Sequence, residues 1–214
     1  DLAAVYREVS DMAEVTYLRQ KQPLGLGHAV WCARHVIGDE PFAVLLPDDL
    51  MDAEPGAISQ MKAAFEATGA SQVAVEPVDP QAVGNYGVVD AGPKSGATHP
   101  VSGLVEKPDP AVAPSNLAVI GRYILPPTVF EPLGRAKAGA GGEIQLTDAL
   151  QALITEYAEA IHAYPFEGVR FDCGSKAGYL KAQVEFGLRH SDFGDELEAY
   201  LRQRLAELTA QSSY

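Results

Sequence analysis

Apolar residues recur along this chain in two rhythms. Short, nearly unbroken apolar runs at residues 42–46, 71–76 and 160–164 have the length of buried strands. Residues 57–68 repeat at helical spacing between the first two. Before them, residues 1–13 set Leu2, Val5, Tyr6 and Val9 on one helical face. Residues 15–18 read as a strand, 20–27 as a glycine-broken loop, and 28–37 as a helix. The resulting strand–helix–strand–helix–strand order predicts an α/β domain with a mostly parallel sheet.

The middle of the chain changes character. Residues 86–91, 101–107 and 117–124 are strand-like and separated by Gly, Pro, Asn and Ser clusters, which predicts antiparallel additions to the main sheet. Helical spacing returns over 143–157, 177–190 and 195–210. In the last helix Leu197, Leu201, Leu205 and Leu208 share a face that suits either the core or a second subunit. Repeats, low-complexity tracts and long linkers are lacking, so a single domain is expected.

Composition narrows the function classes. The chain has 214 residues, with 16 Lys and Arg against 29 Asp and Glu, a net charge of −13. That balance argues against a nucleic-acid partner, which needs a basic face, but not against a small phosphorylated substrate held by a cation and a few focused lysines. No apolar stretch is long enough for a membrane span, and the acidic, mixed first residues do not form a signal peptide. Cys32 and Cys173, far apart in sequence, suit reduced thiols in a cytoplasmic protein. The chain begins at Asp1 with what reads as the middle of a helix, so an N-terminal portion is expected to be absent.

Two segments carry the clearest chemistry. Gln20 to Val30 contains Gly25-Leu26-Gly27 just before a helix, where backbone N–H groups can face a ligand with no side chain in the way. Leu46-Pro47-Asp48-Asp49 closes an apolar strand with an acid pair, a place to hold a divalent cation at the carboxyl end of a strand. Each has an ordinary alternative. Paired glycines permit a tight turn, Pro-Asp-Asp is common turn chemistry, and Gln20 reads equally as a base-reading amide or a solvated loop residue.

Further along, Glu106-Lys107-Pro108 ends a strand with an acid, a base and a proline stop. Regular alternation would aim the two charges at opposite faces, whereas a kink before Pro108 would bring both to one cleft. Glu suits sugar hydroxyls and Lys a phosphate; a surface ion pair is the alternative. Asn85-Tyr86-Gly87 and Ser115-Asn116-Leu117 are loop-to-strand junctions able to offer polar groups to a sugar. Gly142-Glu143-Ile144-Gln145 opens a helix. Asp172, after a short strand and before a helix, is both an N-cap candidate and a second cation ligand. A Cys173 nucleophile lacks an identifiable His partner, and the Gly-x-Ser-x-Gly elbow of serine hydrolases is missing.

As an ordered set these strings resemble the bacterial UTP–glucose-1-phosphate uridylyltransferases, or UDP-glucose pyrophosphorylases. The matching segments are Gly25-Leu26-Gly27-His28-Ala29-Val30, Leu46-Pro47-Asp48-Asp49, Tyr86-Gly87-Val88-Val89, Val105-Glu106-Lys107-Pro108, Ala113-Pro114-Ser115-Asn116-Leu117-Ala118, Gly142-Glu143-Ile144-Gln145-Leu146-Thr147-Asp148 and Asp172-Cys173-Gly174. The resemblance runs from about residue 17 to 190. It implies a Rossmann-like α/β fold of the nucleotide-diphospho-sugar transferase type, with an antiparallel sugar-binding addition and C-terminal helices. Residues 1–77 would form a nucleotide and metal half, 78–176 a sugar-binding half, and 177–214 the terminal helices.

The activity implied is Mg²⁺-assisted, in-line transfer of a uridylyl group from UTP to glucose 1-phosphate, giving UDP-glucose and pyrophosphate without a covalent enzyme intermediate. Carried over, Gln20 and Gly25 correspond to nucleobase contacts, Asp48 and Asp172 to the metal carboxylates, Tyr86, Gly87 and Glu106 to glucose contacts, and Lys107 to the sugar-phosphate contact. Asn116, Glu143 and Lys176 are further site positions, and a homodimer or homotetramer is implied. The family's first βα unit, with its glycine-rich, Arg-bearing loop and Pro-Lys-Glu run, has no counterpart here. A polypeptide without it is expected to lack a central strand and to be inactive. Two other readings remain: a thymidylyl- or other sugar-phosphate nucleotidyltransferase, and a non-catalytic UDP-sugar-binding protein.

Overall fold

The computed structural model of the protein describes residues 7–8 and 10–211. The apolar face expected of a first helix, Leu2, Val5, Tyr6 and Val9, lies outside the described residues. The elements run α1 (Leu26–Cys32), α2 (Arg34–Ile37), β1 (Phe42–Leu45), β2 (Asp49–Asp52), α3 (Ala57–Thr68), β3 (Ser71–Pro77), β4 (Gly87–Ala91), β5 (His99–Glu106), β6 (Leu117–Leu125), α4 (Phe130–Arg135), α5 (Leu146–Tyr157), β7 (Ile161–Pro165), β8 (Val169–Asp172), α6 (Lys176–Leu188) and α7 (Gly194–Gln211). Among the described residues no helix is long and apolar enough to cross a membrane.

Six strands form one sheet in the order β1-β6-β3-β7-β5-β4, while β2 and β8 pair as a separate ribbon. Alternation along each strand sends side chains to opposite faces. Val73 and Val75 of β3 and Val119, Tyr123 and Leu125 of β6 join a core with Leu133 of α4 and Leu146, Leu150 and Leu153 of α5. Ala74, Ile120 and Ile124 face the other way, against Met61 and Ala64 of α3. The sheet is thus packed on both faces. Each fully buried leucine on α5 contributes about 1.5–3 kcal/mol relative to exposure, which outweighs the modest helix propensity of that sequence.

The sheet is mixed, not mostly parallel. Only β3 and β7 pair in parallel among the described strands, and β6 pairs antiparallel to both β1 and β3. The βα order predicted a mostly parallel sheet; in the structure β6, an almost wholly buried strand, lies between β1 and β3 and runs antiparallel to both. The antiparallel addition is present, with β4 against β5 and against the start of β6.

Residues 15–18 are not a strand: Val15, Tyr17 and Leu18 are exposed and unpaired within the sheets. Local β propensity without a face to bury does not hold a strand. The helix expected over 28–37 is two short helices separated by Ala33. The one expected from residue 143 begins at Leu146, because residues 144 and 145 are drawn into extended contact with the glycine loop. The last two helices fall within a residue or two of their expected bounds.

Candidate functional site

A cleft of about 350 Å³ opens where the carboxyl end of β1, the β2–β8 ribbon and the β4–β5 hairpin meet. Asp48, Tyr86, Gly87, Glu106, Lys107 and Asp172 all line it. Six of the residues singled out in sequence therefore converge, although 124 positions separate the first from the last.

The acid pair divides its roles. Asp48 is exposed in the turn after β1, whereas Asp49 is buried. The Asp49 carboxylate accepts the Gly121 N–H at 3.0 Å and the Arg170 Nε–H at 2.5 Å. Arg170 reaches on with Nη1 to Glu76. Burial works against the Arg170 charge, yet the carboxylates of Asp49 and Glu76 outweigh it and hold the guanidinium more basic than usual. Arg122 clamps the same turn from β6, donating to the Leu46, Gly121 and Asp49 carbonyls. Desolvation lowers its pKa, opposed by Asp49 and Asp48. Asp49 is thus committed to structure, and Asp48 alone of the pair is available to a ligand.

Asp172 is the other available carboxylate. The N-cap of α6 is Ser175, whose Oγ accepts the Gly178 N–H, so Asp172 does not serve as the cap. It ends β8 instead, directly opposite Asp49 in the ribbon, and accepts the Gly174 N–H. The Cys173 N–H donates to the Asp48 carbonyl at 2.7 Å, tying the two segments together. An oxygen of Asp48 and one of Asp172 each lie 3.1 Å from where a Cβ on Gly174 would sit. Both carboxylates therefore converge on the same bare stretch of backbone, which a side chain would crowd. Among the described residues no cluster of three or more His, Cys, Asp or Glu forms a self-sufficient metal cage. Two carboxylates open to solvent suit a Mg²⁺ completed by water and phosphate oxygens, since Mg²⁺ is usually held that way.

Glu106 and Lys107 share the cleft because the chain kinks. Lys107 takes a left-handed φ of 48°, ending the alternation of β5, and its N–H donates to the Tyr86 carbonyl at 2.9 Å. Its ammonium lies 3.9 Å from Glu106 while half its side chain stays exposed. Left-handed backbone at a β-carbon residue costs about 1–3 kcal/mol and persists where surroundings over-determine it. Opposite, a Cβ on Gly87 would lie 2.7 Å from Thr147 Oγ1 and 3.2 Å from Glu106 Oε2, so the cleft floor has no room for one. Arg170 also lies 5.8 Å from the centre of the Tyr86 ring.

Gln20, Gly25, Asn116, Glu143 and Lys176 stand outside the cleft wall. Gln20 donates from Nε2 to the Gly25 carbonyl and to His28 Nδ1, bracing the glycine loop from within. Gly25, at a φ of 97°, abuts Glu143 and Ile144. The Gly27 N–H donates to the Ile144 carbonyl, and Ile144 N–H to that of Leu24. These glycines allow two loops to zip together, with Leu26 and Gln145 at the cleft rim. Asn116 is exposed and exchanges hydrogen bonds with Val78, Glu143 accepts from Gln145, and Lys176 starts α6. Thr147, Arg170 and Tyr123 line the cleft without having been singled out in sequence. The Arg–x–Asp spacing on one face of a short strand was the available signal for Arg170.

The nucleotidyl transferase family model matches residues 2–187. A UTP–glucose-1-phosphate uridylyltransferase of Staphylococcus saprophyticus is 44% identical over 202 residues, covering 94% of this chain and 69% of that protein. A crystal structure of UDP-glucose pyrophosphorylase complexed with UDP-glucose superposes with a TM-score of 0.83 at 40% identity, covering 88% of this chain and 72% of the other. A UTP-bound enzyme of the same kind from Acinetobacter baumannii gives 0.81 at 41% identity, covering 94% and 69%.

Proposed function

The chain belongs to the nucleotidyl transferase family, among the bacterial UTP–glucose-1-phosphate uridylyltransferases, and from that premise we propose that it joins UTP and glucose 1-phosphate into UDP-glucose and pyrophosphate. The observation that carries the reading is the convergence of Asp48 and Asp172 with Glu106 and Lys107 in one cleft. Two polyanions must meet there, and two unit charges 4 Å apart repel by about 4 kcal/mol at an effective dielectric of 20.

In this reading a phosphate oxygen of glucose 1-phosphate attacks the α-phosphorus of UTP in line. The new oxygen–phosphorus bond forms as the bond to the β-phosphate bridge breaks, and pyrophosphate leaves without a covalent enzyme intermediate. Lys107 offsets the charge of the sugar phosphate, and the Glu106 carboxylate accepts from glucose hydroxyls. Tyr86 and the bare backbone of Gly87 border the sugar. Asp48 and Asp172 would hold Mg²⁺, which supplies charge neutralisation to the phosphates when bound. The nucleobase lies toward the rim that Gln20 and Gly25 brace. Asn116 and Glu143 are the weaker sugar-side positions: neither lines the cleft, and each holds a hydrogen bond in a loop.

The same reading extends to organisation. Of the described residues, those up to 77 would form the nucleotide and metal half of a Rossmann-like domain, 78–176 the sugar-binding half, and 177–211 the terminal helices. The two cysteines are free thiols, in keeping with a cytoplasmic enzyme. Tyr200, Leu205 and Leu208 remain exposed on α7, a surface suited to a homodimer or homotetramer. The test is pyrophosphate release with glucose 1-phosphate, Mg²⁺ and either UTP or dTTP. Release that strongly prefers UTP is expected. Preference for dTTP, or binding of UDP-glucose with no release from either, would overturn the assignment.

A further inference from the structure

The ribbon of β2 and β8 sets a like-charge problem. Asp49 and Asp172 are partners in the antiparallel register, so their side chains share a face, and both line the cleft. Two carboxylates in that relation repel, and a cation near them has two candidate ligands, not one. Arg170, two residues before Asp172 on the same strand face, resolves the ambiguity. Its guanidinium is nine-tenths buried, pairs with Asp49 and extends to Glu76 at the end of β3.

A two-stranded ribbon is marginal on its own. Near the cleft this one is pinned to the main sheet through the Asp49 carboxylate to the Gly121 N–H, through Arg122 to the Asp49 carbonyl, and through Arg170 to Glu76. Asp48 and Asp172 project from just beyond those pins.

We propose that Arg170 is a positioning residue, which commits Asp49 to the sheet and thereby leaves Asp48 and Asp172 as the one pair fixed to receive a divalent cation. The inference rests on the reading of Asp48 and Asp172 as the metal carboxylates. Of the two carboxylates that Arg170 pairs with, Asp49 is the one beside the metal pair, so the effect of losing Arg170 is repaired by removing the Asp49 charge.

The experiment measures Mn²⁺ binding by the intact chain in saturating UDP-glucose, from the electron paramagnetic resonance signal of free Mn²⁺, for the parent, Asp48→Asn, Arg170→Met and the double variant Arg170→Met/Asp49→Asn. Outer partners of metal ligands typically matter by about 10–100-fold in affinity. Arg170→Met is therefore expected to weaken Mn²⁺ binding about tenfold or more, and the double variant to restore it to within about threefold of the parent. Circular dichroism melts confirm that each variant is folded. Should Arg170→Met fail to fold, the double variant decides: parent-like Mn²⁺ affinity supports the proposal, and weakened affinity overturns it. Unchanged or tightened binding in a folded Arg170→Met overturns it, as does a double variant no better than the single one, which would point to direct contact between Arg170 and the ligand. Binding unaffected by Asp48→Asn would instead overturn the metal-pair reading, and this inference with it.

Discussion

Gly87 and Thr147 interlock across the floor of the cleft: a Cβ on the glycine would lie 2.7 Å from the threonine Oγ1. Thr147 is buried in the first turn of α5, and Gly87 opens β4, so neither backbone yields easily. Gly87→Ala should force Thr147 or Glu106 out of place. Overpacking of this kind costs about 1–3 kcal/mol. The expected readout is a raised KM for glucose 1-phosphate, larger than the change in KM for UTP. Thr147→Ala combined with Gly87→Ala should recover part of it, and steady-state kinetics with each substrate varied would show both.

Asp48 and Lys107 both line the cleft, and the proposed reaction assigns the metal to one and the sugar phosphate to the other. Asp48→Asn and Lys107→Ala should each cost on the order of 2–4 kcal/mol of transition-state stabilisation, by analogy with other charge-stabilising groups. Both side chains are substantially exposed, so folding stability should hardly change. Pyrophosphate release measured beside thermal melts separates the two effects. Near-normal kcat/KM in Lys107→Ala would remove that residue from the chemistry.

Much of this site was legible in sequence because its residues sit at element ends, where Gly, Pro and acids punctuate the pattern. Glu106-Lys107-Pro108 left regular alternation and a kink both open, and the left-handed Lys107 delivers the kink. The adjacent acids Asp48 and Asp49 could not be sorted in advance. Their roles depend on Arg170, 121 residues away from Asp49, and on the Gly121 N–H in a strand that pairs with β1. The direction of the sheet was hidden for a similar reason. Helical and strand periodicity report what each segment buries, but not that β6 slots between β1 and β3. The glycine loop showed its permissiveness in sequence. That the Gly27 N–H is spent on the Ile144 carbonyl is a tertiary fact.

That zipper between loops supports a prediction of its own. A Cβ on Gly27 would lie 2.7 Å from the Ile144 carbonyl oxygen, and one on Gly25 would add a strained positive φ to a 2.7 Å approach to Glu143. Gly25→Ala and Gly27→Ala should each destabilise by about 1–3 kcal/mol, through overpacking or backbone strain. The start of α5 should loosen with them, since residues 144–145 lose their partner. Hydrogen exchange at Ile144 and Gly27 would rise well above that of the β3–β6 ladder. Unchanged protection at those two amides would count against the zipper.

Tyr123 links stability to pH. It is buried on β6, and burial raises its phenol pKa, with the nearby Glu106 and Asp49 charges adding to the shift. A raised folded-state pKa means that the folded protein holds the phenolic proton more tightly than the unfolded chain does. The associated stability is complete below the unfolded value of about 10 and is lost as pH climbs from there toward the folded value. Urea unfolding midpoints should therefore be steady from neutral pH to about 9 as far as this group is concerned, then fall steeply above about 10. Tyr123→Phe should flatten that alkaline decline while leaving the neutral-pH midpoint nearly unchanged. An equal decline in the variant would assign the alkaline loss to other groups.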